Sequence, residues 1–243
     1  MLAEADQIRT VQADLIALAD TDLDTLMAQV AKMAPEAGRD LLIQTLPDLA
    51  KVYGDVGSAA AAEWFEQLRV QHVGSTYPPR LAHSVGAQQI EQTVRFAAKH
   101  LFEGDPAGMT AYLRGALAKW ISEPTRMTII ESVDADPIGY GWQRVVRPGG
   151  CKFCRMLADR GGVYTRKSVW FAAHNNCNCG VVPSWDPSLP EVDVMAYVAS
   201  ERMESVRRRA SSTATDPKGI RDRKRAQQIL EDHRARIRAW VDN

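Results

Sequence analysis

The 243-residue sequence lacks any long apolar run, and no stretch approaches the ~18 apolar residues that a membrane-spanning helix needs. It also lacks a secretory signal, because the first residues, MLAEADQIRT, are acidic and no apolar h-region follows them. We therefore expect a soluble protein that is made in a reducing cytoplasm and has no membrane partner.

Cysteine is scarce, and its placement is ordered. The four cysteines of the chain form Cys151-x-x-Cys154 and, 19 residues later, His174-x-x-Cys177-x-Cys179. In a reducing compartment such a pattern favours metal ligands over disulfides. A C-x-x-C turn presents two thiolates to one ion, and a second pair completes a zinc tetrahedron. We predict a structural zinc held by the four cysteines, with His174 as an alternative ligand or a hydrogen-bond donor to a thiolate.

Signals of catalysis are missing as well. The sequence has no G-x-S-x-G elbow, and Ser184 beside Asp186 is predicted as a loop pair with no evident histidine partner. No glutamate lies between Glu131 and Glu191, whereas a catalytic zinc usually has a glutamate base nearby. We predict that the protein is not an enzyme, and a protease or other hydrolase is the enzymatic alternative.

The front two-thirds of the sequence has helical periodicity. Apolar residues recur at steps of four, three, four and three at Leu42, Leu46, Leu49, Tyr53 and Val56. Residues 59–70 continue as a helix, 71–85 are predicted as a loop, and 109–121 give the clearest amphipathic pattern. Pro47 is placed in the first turn of a new helix, and Pro124 is expected to kink or restart a helix.

The pattern changes after residue 138. Residues 142–146, 163–164 and 181–182 are predicted as short strands and 155–160 as a short helix. Beyond Pro190 we expect a helix, a flexible linker near residues 211–219, and a final helix. The predicted fold is mainly α, with a helical domain over 1–138, a small zinc-bound α+β module over 139–187, and a basic helical tail over 188–243.

Charge is uneven along the chain, although the formal net charge is zero. Residues 1–66 carry 12 acids and 4 bases, 141–185 carry 7 bases and one acid, and 200–243 carry 12 bases and 7 acids. Part of the acidity needs no partner if Asp20, Asp22 and Asp24 lie near a helix start, where the helix dipole favours negative charge. The basic segments instead suggest nucleic acid or an acidic partner surface.

Two groups of basic residues are therefore candidates for phosphate binding. Those around the cysteines are Arg144, Arg147, Lys152, Arg155, Arg160, Arg166 and Lys167. Aromatic residues interleave with them and either stack on bases or form a small core, namely Phe153, Tyr164, Trp170 and Phe171. The candidates in the tail are Arg207, Arg208, Arg209, Arg221, Arg223, Lys224 and Arg225. The alternative for both groups is a solvated basic surface.

The stretch RPGGCKFCRMLADRGGVYT, followed by AAHNNCNCGVVPSW, resembles the C-terminal module of MuF-type minor head proteins of tailed phages. The form it resembles occurs in actinobacteriophages and is often labelled capsid maturation protease. The block YGDVGSAAAAEWFEQLR in the front region is also similar to these proteins, so the resemblance covers roughly residues 1–185. One departure is that the family loop H-D-H-C-N-C reads His174-Asn175-Asn176-Cys177 here, which leaves a single histidine candidate.

The resemblance implies a low-copy structural protein inside the procapsid, associated with the portal and with capsid or scaffold proteins. It implies a role in head assembly or in DNA packaging and ejection, and packaged DNA is a further partner. The expected locations are the host cytoplasm during assembly and then the virion. A zinc-containing nucleic-acid-binding protein, such as a sequence-specific regulator, and a capsid maturation protease are the alternatives.

Overall fold

A computed structural model describes residues 2–146, 152–159, 162–165, 175, 179–192 and 201–241. About 70% of these residues are helical and the described strands form one two-stranded sheet, which confirms the mainly α fold. The elements are α1 (Leu2–Val30), α2 (Pro35–Val73), α3 (Ala87–Ala97), α4 (Lys99–Phe102), α5 (Pro106–Ala135), β1 (Gly141–Val145), α6 (Lys152–Ala158), β2 (Gly180–Ser184), α7 (Glu201–Ala210) and α8 (Pro217–Val241). No helix in these ranges is long and apolar enough to cross a membrane.

The chain divides into two compact units. The first unit contains residues 1–159 and 173–188, and the second contains residues 160–172 and 189–243. Helices α1–α6 and both strands belong to the first unit, whereas α7 and α8 belong to the second. The three domains predicted from the sequence stay a prediction.

Helices α1, α2, α3 and α5 share one apolar core in the first unit. Each helix contributes buried side chains, among them Leu23 of α1, Leu46 of α2, Ile90 of α3 and Leu117 of α5. The amphipathic pattern predicted for residues 109–121 is confirmed in α5. Val56 was assigned to the inner face of α2 but is half exposed, because α2 meets α5 at that level through small residues instead.

Proline does not divide the long helices. Pro47 lies inside α2, so the prediction that a new helix starts there is wrong. Pro124 likewise lies within α5, which does not restart. An interior proline costs about 3 kcal/mol because one backbone hydrogen bond is lost. Packing against neighbouring helices offsets this cost. Pro124 is buried and packs closely on α2, since a Cβ on Gly54 would lie 3.1 Å from the Pro124 Cγ.

A polar seam joins α2, α5 and the loop between residues 74 and 86. The hydroxyls of Ser58 on α2 and Thr128 on α5 lie 2.6 Å apart, and both bond to the backbone of Ala82 in the loop. Further along α5, the backbone N–H of Arg80 donates to Ser132 Oγ. Because these groups are buried, the hydrogen bonds fix the course of the loop over the two helices.

The two-stranded sheet packs on α5 and positions the cysteine region. Strands β1 and β2 are antiparallel, with Gly141 opposite Ser184 and Val145 opposite Gly180. Both contact α5, and almost every residue of the two strands is buried, including Trp142 at 1% exposure. The strands predicted at 142–146 and 181–182 are therefore confirmed. The first is shifted by one residue, and the second is longer by one residue at its start and by two at its end.

The second unit contains a short bridge and a pair of helices. Val163 forms an isolated parallel bridge with Glu191, and its N–H donates to the carbonyl of Pro190. Helices α7 and α8 pack against each other around the buried Val206 and Ala226. The connection between the helices covers residues 211–216, since Pro217 already begins α8. The linker predicted near 211–219 is thus shorter than expected.

Candidate metal centre

Two of the five candidate ligands lie within the described residues. Cys154 is the third residue of α6, and Cys179 immediately precedes β2. Cys151, His174 and Cys177 lie outside the described residues. The structure therefore describes one cysteine from each half of the sequence motif.

The two cysteines meet in the interior of the first unit. Cys154 Sγ lies 3.5 Å from Cys179 Sγ, and each residue is only 2% exposed. A disulfide would need a sulfur–sulfur distance of about 2.05 Å, so these two sulfurs are not bonded to each other. The fold brings together two thiol groups that are 25 residues apart in sequence.

Arg144 of β1 contacts both sulfurs. Its Nη1 lies 3.0 Å from Cys179 Sγ and 3.7 Å from Cys154 Sγ, and the residue is 5% exposed. A guanidinium group has only donors, so the sulfurs are the acceptors in both contacts. Such a charge-assisted hydrogen bond is strongest when the acceptor carries negative charge. The surroundings of the two sulfurs therefore suit thiolates.

Arg126 of α5 anchors the segment that carries Cys179. Its Nε donates to the Cys179 carbonyl over 2.9 Å, and Arg126 is 1% exposed. This bond and the register of β2 against β1 fix the backbone at Cys179 from two sides. Helix α6 contacts β1, so Cys154 is held beside the strand that contains Arg144. The cysteine pair is consequently built on regular elements rather than on free loops.

The geometry of the pair fits one edge of a zinc tetrahedron. Four thiolates at 2.3 Å from a zinc ion lie about 3.8 Å from one another, close to the observed separation. Among the residues that the structure describes, no group of three or more His, Cys, Asp and Glu side chains could hold a metal. The three remaining candidates fall outside that set, so a complete ligand set stays a prediction.

Of the basic and aromatic residues predicted around the cysteines, the structure describes the side chains of Arg144, Arg155 and Tyr164. Arg144 is buried against the sulfurs, so its assignment to phosphate binding is wrong, because phosphate contact requires exposure. Arg155 on α6 is exposed. Tyr164, in the second unit, is 2% exposed and is a core residue. The placements of Arg147, Arg160, Arg166, Lys167, Trp170 and Phe171, and the side chains of Lys152 and Phe153, lie outside the described residues.

Ser184 was considered as a protease nucleophile. It is the last residue of β2 and not a loop residue, and it is 7% exposed. Its Oγ accepts a hydrogen bond from the N–H of Asp186, and its carbonyl accepts one from Tyr140. These bonds terminate the sheet and give Ser184 a local structural role.

The basic residues of the tail lie on α7 and α8. Exposed side chains in the last turn of α7 and the first turns of α8 are Arg207, Arg208, Arg209, Arg221, Lys224 and Arg225. Arg223 is half-buried, and its Nη1 donates to the carbonyl of Ser212. Six of the seven candidates are therefore exposed, whereas Arg223 is bonded to the segment that connects the two helices.

Sequence reasoning missed the roles of Arg126 and Arg144 beside the cysteines. Arg126 lies one turn after Ser122 and one turn before Ile130, both buried on α5. A charged residue on a buried helix face is therefore the signal that could have identified it. Arg144 lies between Gln143 and Val145 in β1, and strand alternation alone does not distinguish a buried arginine from an exposed one.

The architecture is that of a mainly helical protein in which two strands and a short helix assemble a buried cysteine pair. Comparison with known families gives one match, to the VG15 protein, over residues 2–228. The chain therefore belongs to the VG15 protein family, a family of phage gene products. The match extends through α7 and half of α8, beyond the region that carried the MuF resemblance. No curated protein and no solved structure matches the chain significantly.

Proposed function

We propose that this phage protein is a structural minor head protein of the MuF type, associated with the portal and the inner face of the capsid. It acts in head assembly or in DNA packaging and ejection, in the host cytoplasm first and in the virion afterwards. The observation that carries the proposal is the contact between Cys154 and Cys179. It brings together one cysteine from each half of the motif on which the resemblance rests.

The site holds a structural zinc in this proposal. The ligands are Cys151, Cys154, Cys177 and Cys179, and His174 can replace one of the cysteines. The ion contributes folding free energy to the segment around it, because a preformed site does not exist in the unfolded chain. Arg144 donates to the described sulfurs and offsets part of the negative charge of the thiolates.

Two competing functions are weaker. A capsid maturation protease needs an accessible nucleophile, whereas Ser184 is buried in β2. The other candidate pair, Cys177 with His174, lies outside the described residues and has the spacing of zinc ligands. A zinc-containing regulator that reads DNA sequence would use exposed cations near the zinc, whereas Arg144 points into the protein core. Arg155 is the exposed cation described in that region.

Co-expression with the portal protein of the same phage tests the head assignment. We expect the two chains to co-purify, and we expect the protein at low copy number in purified virions by quantitative mass spectrometry. A portal from an unrelated phage serves as the control and should not co-purify. Infectious particles that lack the protein, together with protein found only in the host cytoplasm, would refute the assignment.

The protease alternative makes a separate prediction. If the chain cleaves coat protein, the double variant Cys177→Ser/Ser184→Ala should leave coat protein at its unprocessed mass. We expect the mass of mature coat protein to be the same with the variant and with the unmodified chain. A shift to the full-length mass with the variant alone would favour the protease.

A further inference from the structure

Helices α7 and α8 present a basic surface that the head-protein proposal does not use. Between residues 206 and 230 the sequence has eight bases and two acids, a net charge of +6. Seven of those bases are exposed. We call six of them, which lie on α7 and α8 near the connection at residues 211–216, the basic face: Arg207, Arg208, Arg209, Arg221, Lys224 and Arg225. Adjacent like charges repel one another, so this arrangement favours a negatively charged partner.

The basic face lies on the outer side of the helix pair. On α8 the buried Ala226 and the half-buried Arg223 and Ile220 follow helical spacing on one side. Arg221, Lys224 and Arg225 occupy the opposite side at spacings of three and four, so their side chains are neighbours. On α7, Val206 is buried and Arg208 is exposed. Packing between the helices therefore leaves these cations directed at solvent.

Contacts within the described chain leave much of this charge available. Arg208, Arg221, Lys224 and Arg225 form no ion pair within 4.0 Å among the described residues. The start of α8 is occupied by a side chain of its own, because Asp216 accepts from the N–H of Gly219. Anion binding at this surface would consequently use the cationic side chains rather than the helix terminus.

We propose that the basic face binds the phosphate backbone of double-stranded DNA without regard to base sequence. Exposed cations on the two helices can each neutralise a phosphate, and such binding gains free energy by counterion release. The proposal is independent of the portal assignment, since it can be measured on the purified chain alone.

An acidic protein surface is the competing partner, and the acidic front of a neighbouring copy is the one that the chain itself offers. That front is already partly neutralised inside the first unit. Asp24 lies 2.5 Å and Asp20 lies 3.6 Å from Arg114, and Asp22 accepts from Tyr53 over 2.6 Å. The charges of the basic face therefore favour phosphates over this protein segment.

The test compares two full-length variants that lose the same charge. One replaces Arg208, Arg221, Lys224 and Arg225 by Gln, and the control replaces four exposed cations of the first unit, Lys32, Lys51, Arg95 and Lys99, by Gln. Binding to a duplex of about 30 base pairs is measured by fluorescence anisotropy between about 50 and 200 mM salt, with two unrelated base sequences. Circular dichroism establishes that both variants keep their helix content.

We expect the unmodified chain to bind both duplexes equally, with affinity that falls steeply as salt rises. The slope of log K against log salt should fall in magnitude by about 3 to 4 in the basic-face variant, since each phosphate contact contributes about 0.9. Affinity at low salt should fall at least about tenfold, and the control should stay within about threefold. Equal losses in both variants, no binding by the unmodified chain at low salt, or a strong base-sequence preference would overturn the proposal. So would salt-dependent self-association that the basic-face variant abolishes while its DNA binding is unchanged.

Discussion

Arg69 Nε lies 2.6 Å from Asp136 Oδ2, and this buried ion pair joins the C-terminal part of α2 to the residue that caps α5. Arg69 also donates to the carbonyl and hydroxyl of Ser75 at the start of the following loop. Trp185, directly after β2, donates to the same carboxylate over 2.9 Å. One acidic side chain therefore connects α2, α5 and the segment that follows β2.

Replacing Asp136 by Asn should destabilise the protein by about 3–5 kcal/mol, because Arg69 would stay buried without its counter-charge. Chemical denaturation followed by circular dichroism measures the free energy of unfolding. The matched control is Glu91→Gln, which removes an exposed helical pair with Arg95 and should cost less than about 1 kcal/mol. Similar losses in the two variants would contradict a special role for the buried pair.

The same pair predicts how stability depends on pH. Burial on its own would raise the pKa of Asp136, but hydrogen bonds from Arg69, Trp185 and the N–H of Ile138 outweigh it and lower the pKa. A carboxyl whose folded pKa is lowered stabilises the fold above its unfolded pKa of about 3.9, and this contribution is lost as pH falls through the folded value. As pH falls below about 4, the free energy of unfolding should therefore decrease more steeply for the unmodified chain than for Asp136→Asn. Parallel pH profiles would contradict this assignment.

Zinc content tests the ligand set. Purified protein should contain about one zinc per chain by elemental analysis, as expected for one tetrahedral site. We expect Cys177→Ala and Cys179→Ala to lose the ion, whereas His174→Ala should retain it with weaker affinity. Retention in Cys179→Ala together with loss in His174→Ala would instead establish a site of three cysteines and one histidine. A zinc-free chain that unfolds cooperatively at an unchanged temperature would remove the zinc hypothesis.

Arg144 should tune the affinity for zinc, although it cannot be a ligand. Arg144→Gln removes the cation beside Cys154 and Cys179, and we expect zinc affinity to fall about tenfold to a hundredfold. Competition with a chromophoric chelator measures the affinity. Arg155→Gln is the control, since Arg155 is exposed on the same helix as Cys154. Arg144→Lys keeps the charge and should restore part of the affinity, and equal affinities in all variants would show that Arg144 only fills space.

Helical periodicity was sufficient to predict the mainly α fold and the inner face of α5, because burial there follows a regular spacing. It failed for Asp20, Asp22 and Asp24, which lie well inside α1 rather than near a helix start. Arg114 pairs with Asp20 and Asp24, and Tyr53 donates a hydrogen bond to Asp22, so the partners of these acids are distant in sequence. Local pattern cannot identify such partners, since tertiary packing brings them together.

The candidate site was likewise only partly predictable from the sequence. Spacing indicated that the C-x-x-C turn and the later cysteine segment share one site, and Cys154 and Cys179 do meet, whereas the full ligand set stays a prediction. The positions of Arg126 and Arg144 beside these cysteines depend on how α5 and β1 pack, and the sequence pattern alone does not reveal that packing. Arg144 was expected at a phosphate and instead lies against sulfur, because its strand is buried on both sides.

The last prediction concerns the close packing of α2 on α5. A Cβ on Gly57 of α2 would lie 2.5 Å from Oγ1 of the fully buried Thr125 on α5. Gly57→Ala should therefore destabilise the protein by about 1–3 kcal/mol through overpacking, although alanine alone would favour the helix by about 1 kcal/mol. The double variant Gly57→Ala/Thr125→Ala removes the obstructing hydroxyl and should recover much of the loss, which a double-mutant cycle by chemical denaturation would measure. Gly86→Ala is the control, because a Cβ there meets nothing within 4 Å, and its effect should stay within about 1 kcal/mol. Additive effects of the Gly57 and Thr125 substitutions would mean that the two helices do not touch at this point.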